Sequence, residues 1–191
     1  MKQAIILTLI GLFGLVLGAP EEERVDELPD MAKFDDYKMY SGYIPLEGTT
    51  KTIHYLFIES QSENRANDPV VLWTNGGPGC SSMLGFAQEH GPWQLANGDT
   101  KWTPNNYSWN REANMLYVEQ PAGVGYSYCN NATNPEDCTF TDESDAADNL
   151  AVVLAWFEKF PEYKTNDLYL SGESYGGIYV PLLAEAIHDH N

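Results

Sequence analysis

With 43% hydrophobic and 13% aromatic residues in 191, the chain has enough apolar material for one domain with a packed core, which excludes disorder of the whole. Its 28 acidic against 10 basic residues leave a net charge of -18. Such a surface repels phosphate backbones and anionic membranes, so nucleic acid is excluded as a partner.

Residues 1–18 place Lys2 before an uncharged apolar stretch, Ala4 to Leu17, and end in the small residue Gly18, with Ala19 next. This layout predicts a secretory signal peptide cleaved after Gly18. The stretch is too short for a comfortable membrane span, and no other segment is apolar enough for one, so no membrane association is expected after cleavage. In an oxidising compartment Cys129 and Cys138 can close a small loop, whereas Cys80 is left over. Cys80 is then an interchain partner, a buried free thiol, or half of a pair whose other half lies in sequence not present here. The sequons Asn106-Tyr-Ser108 and Asn131-Ala-Thr133 are candidate glycosylation sites of the same compartment.

Residues 19–38 are charged and poor in apolar side chains, and read as a solvated acidic arm or a short pro-segment. Two aromatic and β-branched runs follow, Met39 to Ile44 and Lys51 to Ser60, with Pro45 and Gly48 between them. They predict an antiparallel pair at the edge of a sheet. Val70 to Trp73 and Met115 to Val118 are continuously apolar and predict strands buried on both faces. Between Thr139 and Pro161 lies the clearest helix, with Thr141 and Asp142 as caps and Ala146, Leu150, Val153, Leu154 and Phe157 as its apolar face. A short buried strand at Leu168 to Leu170 and a helix from Ile178 to His188 complete the order. Buried strands separated by crossovers imply an α/β fold, a mostly parallel sheet covered on both faces with an antiparallel hairpin at its N-terminal end.

The last strand and helix flank Gly172-Glu-Ser-Tyr-Gly176, a G-x-S-x-G pattern. Between a strand and a helix this pattern is a nucleophile elbow, which lifts Ser174 clear of the sheet on a turn too tight for side chains two positions either side. A second chemical stretch, Trp73-Thr-Asn-Gly-Gly-Pro-Gly-Cys-Ser-Ser82, follows a buried strand directly. Acyl transfer to a serine needs donors aimed at the charge developing on the carbonyl oxygen, and a Gly-Gly turn can present bare backbone N–H groups for it.

These two stretches and Glu119-Gln-Pro-Ala-Gly-Val-Gly-Tyr-Ser127 resemble the serine carboxypeptidases, from about Met39 to the last residue and in the family's order. The resemblance implies an α/β-hydrolase fold over residues 39–191. It also implies removal of single residues from peptide C-termini, usually in acidic lumenal compartments such as the lysosome or vacuole, or after secretion. Matched position by position, Ser174 is the nucleophile and Gly77 and Tyr175 supply the oxyanion donors. Asn75, Gly76 and Glu173 hold the substrate's terminal carboxylate, and Glu89 and Trp73 belong to the hydrogen-bond network around them. A carboxyl group grips a carboxylate only while it carries its own proton, so peptidase activity is expected to fall as pH rises.

One departure is large. In this fold the triad's carboxylate and histidine follow the serine, yet only 17 residues follow Ser174. His188, Asp189 and His190 lie on the helix that leaves the elbow, while His54 and His90 precede the serine, in a strand and a loop. The expectation is that these residues are the N-terminal part of a longer enzyme, with its sheet incomplete at the C-terminus and no activity alone. An acyltransferase or esterase on the same scaffold is the alternative, since an alcohol can replace water in resolving the acyl-enzyme. A non-catalytic truncated product is the third reading. No cysteine and histidine spacing suggests a metal, and no cofactor is implied. The sequence leaves oligomeric state and preferred terminal residue undetermined.

Overall fold

The computed structural model describes residues 18–31, 36–95, 98–130 and 135–191. The expected signal peptide, apart from Gly18, and the sequon at Asn131 lie outside them. The strands are β1 (Arg24–Val25), β2 (Met39–Pro45), β3 (Thr52–Ile58), β4 (Val70–Thr74), β5 (Trp93–Gln94), β6 (Thr103–Pro104), β7 (Asn114–Val118) and β8 (Leu168–Gly172). The helices are α1 (Asp142–Lys159) and α2 (Gly176–His190).

Six strands form one sheet in the order β1-β2-β3-β7-β4-β8, while β5 and β6 pair separately. β1, β2, β3 and β7 pair antiparallel in turn, and β7, β4 and β8 pair parallel. Four of the six strands, β2, β7, β4 and β8, therefore run the same way. The apolar runs explain the middle of this order: β3 and β7 are buried at every position.

Side-chain alternation divides the core in two. Tyr55, Phe57, Leu72, Leu116 and Val118 pack on one face with Val152, Val153, Trp156 and Phe160, and with Leu183 of α2. Leu56, Ile58, Trp73, Met115 and Tyr117 pack on the other with Phe86. Trp156 anchors the first face, its ring 4.9 Å from Phe57 and 4.8 Å from Phe160.

Three expectations need correction. Thr141 alone caps α1: its side chain accepts from Ser144 N at 3.2 Å while Ser144 Oγ accepts from Thr141 N at 2.9 Å. Asp142 instead accepts from Tyr175 Oη at 3.1 Å. The buried face of α1 keeps Ala146 and Val153 as expected but is broader on one side: Leu154 is 40% exposed, whereas Asp145, Asn149, Val152 and Trp156 are also buried. Counting apolar residues missed the two polar ones, which go inside because each finds a partner there. Finally, the acidic arm is not all solvated. β1 pairs with β2 and takes the edge from the hairpin, and Glu23 accepts hydrogen bonds from Tyr55 Oη and Lys159 Nζ. Gly42 leaves the room for this, since a Cβ there would meet the Glu23 carboxyl.

β4 and β8 are parallel neighbours, but the chain leaves them towards opposite faces. After β4 it passes through a π-helical turn, Gly85–His90, which lays Phe86 on one face; after β8, α2 covers the other. Such a divergence opens a crevice at the strands' carboxyl ends, and the two glycine-rich stretches meet there.

Candidate active site

Ser174 stands between β8 and α2 with φ 55° and its side chain exposed. A non-glycine residue holds this left-handed conformation only where its surroundings enforce it. The enforcement comes from β4. A Cβ on Gly172 would lie 2.8 Å from Thr74 O, and one on Gly176 3.4 Å from the same oxygen. Glu173 N donates to Thr74 O at 3.3 Å. The two strand ends therefore press together with no side chain between them.

The glycine turn after β4 interlocks with the elbow. A Cβ on Gly76 would stand 2.4 Å from Tyr175 N and 2.7 Å from Glu173 O, so this position admits only glycine. Gly77 follows at φ 112°, and Cys80 N closes the turn on Gly76 O at 2.9 Å. Gly76 and Tyr175 are thus brought together at the elbow, with Gly77 next along the turn. Cys80 is a free, exposed cysteine on this turn.

Asn75 is buried between them and organises the polar side of the crevice. Its Oδ1 accepts from Trp73 Nε1 at 2.8 Å and from Gly85 N at 3.1 Å. With the carbonyl so fixed, Nδ2 has its two hydrogens for Glu173 Oε1 at 3.0 Å and Glu89 Oε1 at 3.4 Å. Two carboxyl groups thus share one amide beside the serine. Burial, then the nearby charge of Glu173, raise the Glu89 carboxyl above its usual range against the lowering bond from Asn75.

None of the four histidines hydrogen-bonds Ser174. His54 lies in β3 bonded to Ser41 and Glu119. His90 ends the π-helical turn, rather than lying in a loop, and contacts Tyr117 Oη at 3.2 Å with its ring stacked on Trp109. Burial pushes it down to about 4, so it is neutral. His188 and His190 sit exposed on the last turn of α2, about 20 Å of helix from the elbow.

Cys129 and Cys138 form a disulfide, and Asn106 is exposed. Among the described residues no three or more His, Cys, Asp or Glu gather as a metal site, and no helix is long and apolar enough to cross a membrane. Sequence reasoning assigned no role to Ser81, Ser82 or Glu119, which brace the glycine turn. The signal was a charged residue directly after the apolar strand β7, at the carboxyl end of the sheet.

The family profile for serine carboxypeptidase matches residues 29–191. Serine carboxypeptidase-like 35 of Arabidopsis thaliana is 47% identical over 177 residues, covering 91% of this chain and 36% of that protein. The lysosomal protective protein of Mus musculus is 43% identical over 185 residues, covering 96% of this chain and 38% of that one. The chain thus spans less than half the length of these relatives. A prohormone-processing carboxypeptidase from Saccharomyces cerevisiae superposes with a TM-score of 0.77 at 30% identity, over 92% of this chain and 40% of that one. The interlocked elbow and glycine turn, the sheet that carries them and these matches agree: the chain belongs to the serine carboxypeptidase family and has its α/β-hydrolase fold.

Proposed function

We propose that this chain carries the nucleophile and carboxylate-recognition half of a serine carboxypeptidase that releases single amino acids from peptide C-termini. Ser174 Oγ attacks the scissile carbonyl, the N–H groups of Gly77 and Tyr175 receive the oxyanion, and the acyl-enzyme on Ser174 is hydrolysed by water. The observation that carries this reading is Asn75, whose amide joins Glu89 and Glu173 next to Ser174. A proton held within that carboxyl pair, which the Asn75 amide keeps in place, grips a substrate carboxylate and sets the peptide's last bond over the serine. The base and its orienting carboxylate belong to the part of the longer enzyme that these residues do not span.

The signal layout, the disulfide and the exposed Asn106 support a secretory route, and the lysosomal name of one relative points to a lysosomal, vacuolar or extracellular destination. The test begins with the transcript beyond the codon for Asn191. The complete enzyme should offer an Asp and then a His, and should release the terminal amino acid from a blocked dipeptide, with release abolished in Ser174→Ala. Acyl transfer to an alcohol without peptide cleavage at any pH would favour the acyltransferase reading.

A further inference from the structure

Glu119 follows β7 as a fully buried carboxylate, and three separate segments converge on it. From the hairpin, His54 Nδ1 lies 2.9 Å from Oε2. As the carboxylate can only accept, the imidazole donates to it from Nδ1, while Nε2 lies 2.8 Å from Ser41 Oγ. From the loop after β7, Tyr126 N donates to Oε2 at 2.9 Å, and Gly125 packs so closely that a Cβ would overlap Oε1. From the stem of the glycine turn, Ser81 Oγ donates to Oε1. Burial alone would raise this carboxyl, but the donors from His54, Ser81 and Tyr126 outweigh it and hold it below the usual value.

The turn that carries Gly77 is thereby held from two sides. Its stem is Ser81-Ser82: Ser81 is tied to Glu119, and Ser82 Oγ donates to Val118 O at 2.6 Å while accepting from Asn75 N at 3.1 Å. Its outer side meets Val124, whose Cγ2 is 4.0 Å from the Cβ position of Gly79. Val124 lies in the loop that Glu119 grips through Tyr126. Glycines supply no rigidity of their own, so residues 76–80 depend on these ties for their position. An oxyanion donor displaced by about 1 Å loses on the order of 100-fold in rate.

We propose that Glu119, acting through Ser81 and through the 123–127 loop, is a positioning residue that fixes the Gly77 turn for the acyl-transfer transition state. This rests on the reading of Gly77 as an oxyanion donor. Glu119 touches no substrate. It sets where the Gly77 N–H points, so its loss appears in the chemical step and not in substrate binding.

The test uses the complete enzyme and an ester substrate lacking a free carboxylate, with kcat, KM and thermal midpoint measured for each variant. Ser81→Ala and Glu119→Gln should each lower kcat about 10- to 100-fold with KM within about threefold. Ser81→Thr, which keeps the hydroxyl, should restore kcat to within about threefold of wild type. The double variant should be little worse than the poorer single, because both act through one contact. If Glu119→Gln does not fold, the partly exposed Ser81 decides alone. A kcat within about twofold of wild type in Ser81→Ala, whatever happens to the thermal midpoint, overturns the proposal while leaving the carboxypeptidase reading intact. A wild-type enzyme that hydrolyses neither ester nor peptide takes down both.

Discussion

At the residue scale the chain uses buried carboxyl groups in opposite ways. Glu119 is held ionised by its donors, whereas burial, and after it the charge of Asp148, push Asp145 up to about 7 against the opposing pull of Lys51. A carboxyl whose folded pKa lies above its unfolded value near 4 favours folding while both states are protonated. That advantage is lost as pH rises through about 7, and on the order of 4 kcal/mol is at stake. Asp145→Asn should therefore raise the denaturation midpoint at about pH 7.5 and change it little near pH 4; a lower midpoint at pH 7.5 would count against this account. The raised Glu89 has a different readout, in activity. As pH rises the carboxyl pair loses its proton, so kcat/KM should fall for blocked dipeptides and less for esters, which present no carboxylate. A flat peptidase profile from acid to neutral pH would remove this role from the pair. Glu89→Gln keeps a donor that does not titrate, so its peptidase profile should be the flatter of the two.

At the element scale, α1 is defined by its cap and its aromatic anchor. Thr141 satisfies an N–H at the helix start, and Thr141→Ala should cost about 1 kcal/mol by urea denaturation. Trp156 is fully buried against Phe57 and Phe160, and Trp156→Ala should cost about 3–5 kcal/mol in the same measurement. A loss under 1 kcal/mol would mean that the cluster repacks. Gly76 belongs to the joint between two elements. With its Cβ position 2.4 Å from Tyr175 N, Gly76→Ala must force the glycine turn and the elbow apart. Covalent labelling of Ser174 by a phosphonate should slow in that variant by about 100-fold or more.

At the scale of the whole molecule, among the described residues one edge of the sheet is covered and the other is not. The acidic arm covers β2 at the N-terminal side with β1, while β8, expected from its apolar residues to be buried, is the outer strand at the other side, with Tyr169 57% exposed because no strand lies beyond it among the described residues. Unpaired strand edges template association. The 191-residue polypeptide expressed by itself should therefore self-associate on a sizing column, and Tyr169→Lys, which charges that edge, should shift it towards monomer. A wild-type polypeptide that elutes as a sharp monomer would show that β8 is protected.

The strand runs, the elbow and the glycine turn were legible in the sequence because each is a local signal. An apolar run such as Met115 to Val118 reports burial without knowledge of its neighbours, and glycines two positions either side of Ser174 report the steric demand of a single turn. The order of the longer elements followed from the same signals, whereas the two-residue strands β1, β5 and β6 left none. What tertiary structure alone decided is where polar side chains go, since their placement depends on partners far away in the chain. Asp145 and Asn149 turn inward beside Gln120, Glu23 reaches Tyr55 and Lys159, and Glu119 gathers His54, Ser81 and Tyr126. A buried polar group costs several kcal/mol unless every partner is in place. Those partners exist only once the sheet has brought β3, β4 and β7 side by side, and periodicity along one segment carries no trace of them.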